Sequence, residues 1–232
     1  MLTINIITLF PELLTPFQNH LPLSRAIEKG ELEINLYDLK NYAIDKRGTV
    51  DDKPYGGGVG LLLRVEPVWK ALKDIYNLKD SLEDLEKIKK DKTNSIIALT
   101  PSGGTFTQQK AVKLTKKQTI TLICGRYEGM DQRIKTHLTT ENISIGNYVL
   151  SGGEIPALAI TEAVTRLLPG AIEKEQATKK ESFSKKMEGK IEYPQYTRPK
   201  NFKGLKVPKV LLSGHHEKIK KWREKQRKKL NY

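Results

Sequence analysis

Three short apolar runs, residues 95–100 (SIIALT), 119–124 and 142–145, each break off into glycine and polar residues, and each break is followed by a helix-patterned segment, at 107–117, 130–138 and 154–168. Strands alternating with helices demand a parallel sheet, because consecutive parallel strands can only be joined by a crossover. The breaks then fall at the carboxyl ends of the strands, where open α/β sheets hold their ligands and where glycine lets the backbone come close to them. The loops read PSGG after the first run, GRYEGMDQR after the second and GNYVLSGGEIPA after the third. Three loops of one kind predict one shared pocket.

The rest of the chain extends this pattern. Residues 2–9 alternate as a first strand and 31–39 as a second, with helical periodicity between them over 12–29, interrupted at Pro22. Residues 41–60, ending DDKPYGGGVG, are too long and too punctuated for a simple connection, and long ordered loops tend to be functional. Glu66-Pro67 is a helix start. Residues 79–92 read as a charge-laced helix with little apolar face, a solvated insertion. After Pro169-Gly170, residues 173–190 have the composition of a flexible linker, so the expected domains are 1–172, the linker 173–190, and a small helical unit 191–232 whose last helix covers 217–230.

Charge divides along the same boundary. Of the net +14, residues 173–232 contribute 19 Lys/Arg against 7 Asp/Glu, leaving 22 against 20 for residues 1–172. Such a cationic tail, interleaved with Phe183, Tyr193, Tyr196, Phe202 and Trp222, suits a polyanion with stackable bases. A single cysteine, Cys124, excludes an internal disulfide and a Cys-based zinc site and points to a reducing cytoplasm. The opening MLTINIITLFPE is unlike a secretory signal, and no run approaches the roughly 18 apolar residues of a membrane span. His215 and His216, adjacent and without companion ligands, read as loop groups or RNA contacts, and Cys124 as core. The run 56–60 lacks the Gly-Lys-Ser/Thr ending of a P-loop.

Taken in order, ITLFPE, VDDKPYGGGVG, LTPSGG, CGRYEGMDQR, SIGNYVLSGGEIPA, YPQYTRP and SGHHEKIKKWR resemble the bacterial tRNA (guanine-N1-)-methyltransferase family, trefoil-knot enzymes of the SPOUT class, from residue 1 to about 229. The resemblance implies an α/β fold, a mostly parallel sheet ending in a trefoil knot, plus a small helical C-terminal domain. It implies a homodimer with active sites at the subunit interface, no membrane partner, S-adenosylmethionine as methyl donor, and a tRNA with guanines at positions 36 and 37 as substrate. It also allows for Mg2+, for which no ligand spacing is visible in the chain.

By the same resemblance the cofactor contacts are Leu99, Thr100, Pro101, Gly125, Tyr127, Glu128, Ile145, Gly146, Asn147, Tyr148, Val149, Leu150, Gly152 and Gly153, and the 56–60 loop belongs to the tRNA-contacting surface. The catalytic set is Glu181 as general base, Arg166 on guanine O6 and Glu128 beside cofactor and base. The chemistry asks for such groups, because guanine N1 carries a proton that must leave and O6 gains negative charge as it does. Read without the family, Glu128 is a structural partner of Arg126 or Arg133, and Arg166 the polar end of a helix. Three positions depart from the family pattern: Glu181 and Asn147 both stand where it has Asp, so Glu181 reaches one methylene further and Asn147 has no charge, and Gln195 stands where relatives often carry His.

Overall fold

The computed structural model describes residues 1–173, 181–184 and 187–227. The chain divides into two compact units, Met1–Glu173 and Lys174–Tyr232.

The first unit is built on five strands: β1 Leu2–Thr8, β2 Leu32–Asp38, β5 Asn94–Thr105, β6 Thr119–Cys124 and β7 Glu141–Ser144. They lie in the order β2-β1-β6-β5-β7, every neighbouring pair parallel. A two-stranded antiparallel ladder, β3 Asp51–Asp52 with β4 Leu62–Leu63, stands apart. Five helices accompany the sheet: α1 Leu23–Glu28, α2 Val65–Tyr76, α3 Leu82–Lys90, α4 Gln108–Leu114 and α5 Glu154–Thr165.

Strands covered on both faces must be apolar on both, which is why β1, β5 and β6 read as continuous hydrophobic runs. One core joins Ile4, Ile6, Ile97, Leu99, Ile120 and Leu122 to Ala26 of α1, Ala111 of α4 and Ile160 of α5. The opposite core joins Ile7, Ile96, Ala98 and Ile123 to Val68 and Leu72 of α2 and Leu85 of α3. Truncating a fully buried leucine such as Leu72 to alanine removes roughly 2–5 kcal/mol.

Two local readings need correction. The stretch 12–29 is not one interrupted helix: 3-10 turns at Pro11–Leu13 and Thr15–Asn19 precede the short α1, because Pro11, Pro16 and Pro22 each lack the N–H an α-helix would use. Nor is α3 a bare solvated insertion. Ser81 caps its start, Leu85 is wholly buried and Ile88 packs on the second core, so its charges decorate a helix anchored by one apolar stripe.

Within the second unit, β8 Asn201–Phe202 pairs antiparallel with β9 Leu205–Lys206, and α6 His216–Gln226 follows a turn at Lys209–Leu212. Of the stretch read as a linker, residues 174–180 and 185–186 lie outside the described residues, as do Lys228 and Lys229 of the basic tail. Around Glu181 the chain closes into turns: Phe183 N–H donates to the Lys190 carbonyl at 3.0 Å, Glu192 N–H to Ser182 Oγ at 3.0 Å, and Met187 is buried.

Candidate active site

The registers of β6, β5 and β7 place Cys124, Leu99 and Ile143 side by side across the sheet. The three loops that follow these residues therefore leave the sheet at one level, and together they line a cavity of about 540 Å³. The loop after Leu99 is a protrusion inside a strand: Ile143 pairs with both Leu99 and Gly104, so residues 100–103 bulge out between two paired segments.

Glycines set how closely the loops approach. A Cβ on Gly103 would fall 2.5 Å from the Ile143 nitrogen, and one on Gly153 would fall 2.6 Å from the Cys124 Cα. Gly153 N–H donates to the Gly125 carbonyl at 2.8 Å, tying the third loop to the second, and Arg126 and Gly152 form an antiparallel bridge beside it. Tyr127 takes a left-handed φ of 61° without being glycine, a strained conformation held by its surroundings. Burial first, then the nearby Asp51 carboxylate, raises its phenol above the ordinary value.

Beneath the loops lies a buried ion pair. Glu154, at the start of α5, is 2 % exposed; its Oε2 stands 3.1 Å from Arg126 Nη2, and its Oε1 accepts from Thr8 Oγ1 at 2.8 Å. The Arg126 guanidinium lies over the Phe10 ring, 4.3 Å from its centre, and donates to the Ser151 carbonyl at 3.4 Å. A Cβ on Gly152 would meet both Arg126 Nε and Glu154 Oε2, so the glycine is what lets the loop cross over the pair. Arg126 thus pairs with Glu154, and Arg133 pairs with Asp131, so neither takes up Glu128 in the way a purely structural reading supposes. Cys124 is buried beneath the loops as well. Burial, reinforced by the Glu154 charge, holds its thiol well above the usual range, which disfavours the thiolate that a nucleophile needs.

The 56–60 loop comes to the same wall. It runs into β4, where Leu63 N–H donates to the Gly129 carbonyl at 3.0 Å and Glu128 N–H donates to the Leu61 carbonyl at 3.1 Å. Gly60, at φ 83°, presses on Glu128: a Cβ there would lie 2.3 Å from the Glu128 Cγ.

Of the fourteen expected cofactor contacts, all but Asn147 line the cavity. Arg166 sits at the C-terminal end of α5, outside that lining, and Glu181 belongs to the second unit. Sequence reasoning overlooked Ser102, Gln132, Lys135 and Pro156, which also line the cavity. Gln132 and Lys135 stand three residues apart in a helical stretch, a spacing that puts both on one face and was the available signal. No group of three or more His, Cys, Asp or Glu suited to a metal ion occurs among the described residues.

Residues 2–231 match the profile of the family described as tRNA (Guanine-1)-methyltransferase TrmD. The chain belongs to that family. It is 47 % identical over 224 residues to the tRNA (guanine-N(1)-)-methyltransferases of Staphylococcus aureus strains JH9, Newman and N315, an alignment covering 97 % of this chain and 85 % of each relative. The parallel α/β sheet is the family's fold.

Proposed function

We propose that this chain transfers the methyl group of S-adenosylmethionine to N1 of guanine 37 of tRNA, where guanine 36 precedes it, acting in the cytoplasm as a homodimer. The observation that carries this reading is the convergence of Leu99, Gly125 and Gly153, one from each of the three glycine-bearing loops, on one cavity. Loop backbone recognises a nucleoside through amides and carbonyls, which glycines leave accessible.

The bound donor supplies an electrophilic methyl on a sulfonium. The chain's own residues must then expose the target base, deprotonate it and hold it in line. Glu181 takes the N1 proton as the N1–methyl bond forms and the S–methyl bond breaks, and Arg166 neutralises the charge growing on O6. Glu128, on the cavity wall, orients the base against the donor. Because Arg166 is outside the lining of its own chain's cavity, a second copy is the route by which it meets the substrate. The exposed side chains along the rim, Tyr148, Val149, Leu150 and Ile155, support such a covered interface. Asn147 is also outside the lining, which supports only a small effect of its missing charge on cofactor binding. The basic second unit offsets the few kcal/mol needed to unstack guanine 37 through backbone contacts.

The test of the catalytic assignment is Glu181→Gln. Turnover is expected to vanish while tRNA binding persists; near-normal turnover would remove Glu181 from the role of base.

A further inference from the structure

The second unit holds a cavity of its own, about 450 Å³, that none of the chemistry above uses. Part of its lining is apolar, from Val207, Leu211 and Ile219, and Val207 N–H donates to the Lys200 carbonyl at 3.0 Å. The rest is of another kind. Tyr193 and Tyr196 line it together with Arg198, Lys200 and Arg223, and no acidic residue is among the lining. Arg223, four residues after Ile219 on the same face of α6, lies over the Tyr193 ring, 4.8 Å from its centre. Tyr196 is half exposed, its ring 6.5 Å from that of Trp222. None of the three cations forms an ion pair among the described residues.

A cavity of this size is in the range of small-ligand pockets, roughly 300–1,000 Å³. Its chemistry is narrower than its size. Aromatic rings beside apolar side chains suit a planar ring, and guanidinium groups that form no ion pair among the described residues can donate to phosphate oxygens, Arg in bidentate fashion. Gln195 and Thr197, also on the wall, offer donors and acceptors for a base edge. One ligand class carries a flat ring and anionic oxygens together, and the net charge of residues 191–232, with 13 Lys/Arg against 3 Asp/Glu, favours the polyanionic form of it.

We propose that this cavity seats one unstacked nucleotide of the RNA substrate, its base on Tyr196 and its flanking phosphates on Arg198 and Lys200, distinct from the guanine that is methylated. The proposal rests on the reading of the chain as a tRNA methyltransferase. It assigns the second unit a pocket for a particular nucleotide, where a basic surface alone would hold only backbone.

The test uses the full-length protein and an unmodified tRNA transcript with guanines at 36 and 37. Transcript substituted with 4-thiouridine is irradiated with unaltered protein, and adducts are expected on the peptide spanning residues 191–200. Tyr196→Leu is expected to raise the KM for transcript about 5- to 150-fold, the loss that follows from removing one stacked ring. Its affinity for S-adenosylmethionine, measured without RNA, is expected to stay within twofold. Arg198→Gln with Lys200→Gln is expected to flatten the dependence of log affinity on log salt by about one to two. With only two tryptophans in the chain, Trp69→Phe makes Trp222 emission a check on the fold of this unit. Should Tyr196→Leu shift that emission without RNA, the cross-link on unaltered protein decides. Adducts confined elsewhere, or a KM for Tyr196→Leu within twofold of the parent, overturn the proposal and leave the cavity as a seat for protein. Failure of the unaltered protein to methylate any tRNA would instead refute the reading beneath it.

Discussion

Glu154→Gln probes the element on which the cofactor cavity rests. The substitution keeps the size of the side chain and an oxygen for Thr8 Oγ1, but strips the charge that faces Arg126 at 3.1 Å. Removing one partner of a buried pair costs roughly 3–5 kcal/mol, because the other charge stays desolvated. Two features place this case at the low end: the Arg126 side chain is 20 % exposed, and the Phe10 face and the Ser151 carbonyl still receive it. The expected loss is therefore about 3 kcal/mol, which for a unit of this size is a fall in Tm of roughly 6–12 °C. Trp69 belongs to the first unit and Trp222 to the second, so the measurement is made in a Trp222→Phe background, where emission follows the first unit alone. Because Arg126 holds Ser151 and bridges Gly152, affinity for S-adenosylmethionine is expected to fall with stability, by tenfold or more. A loss below about 1 kcal/mol with unchanged affinity would show that the pair neither stabilises the unit nor shapes the loop.

Three further outcomes follow from the same geometry. Gly60→Ala and Gly57→Ala both place alanine at a φ near 84°, each costing about 1–2 kcal/mol, but only Gly60→Ala drives a Cβ into Glu128; it alone is expected to depress kcat/KM, and equal activity in the two would remove Glu128 from the site. Cys124 is 3 % exposed with its thiol held above the usual range, so iodoacetamide at pH 8 is expected to modify it only on denaturation; rapid labelling of the native protein would contradict the buried position. Burial first, then the Tyr37 charge, pushes the Tyr76 phenol up to about 12 from 10.0. A raised folded-state value means stability fully present below pH 10 and lost as pH climbs toward 12, about 1 kcal/mol of it by pH 11. Urea unfolding at pH 9 and 11 is expected to show that loss in the parent and a smaller one in Tyr76→Phe; identical slopes would refute it.

The parallel sheet and its pocket were legible because both write themselves locally. Strands buried on two faces must be apolar runs, and loops that approach a ligand by backbone must carry glycine, so residues 95–104, 119–129 and 142–153 announced strand, exit and cavity together. The ion pair between Arg126 and Glu154 was not legible, since its members lie 28 positions apart and their loops meet through the Gly153–Gly125 hydrogen bond and the Arg126–Gly152 bridge. The same limit hid the approach of Gly60 to Glu128, which depends on β4 pairing beside the GRYEG loop. Misread helices had another source: a proline changes the type of turn without erasing the periodicity, as at Pro11 and Pro16, and a single buried leucine, Leu85, anchors a helix whose composition is almost wholly charged.

The central claim is most directly tested by incubating the protein with S-adenosylmethionine labelled in the methyl group and two transcripts, one with guanines at 36 and 37 and one with adenine at 37. Label is expected in the first transcript alone and, after digestion, in 1-methylguanosine. Label on a ribose oxygen, on another base atom, or equally in both transcripts would contradict the account.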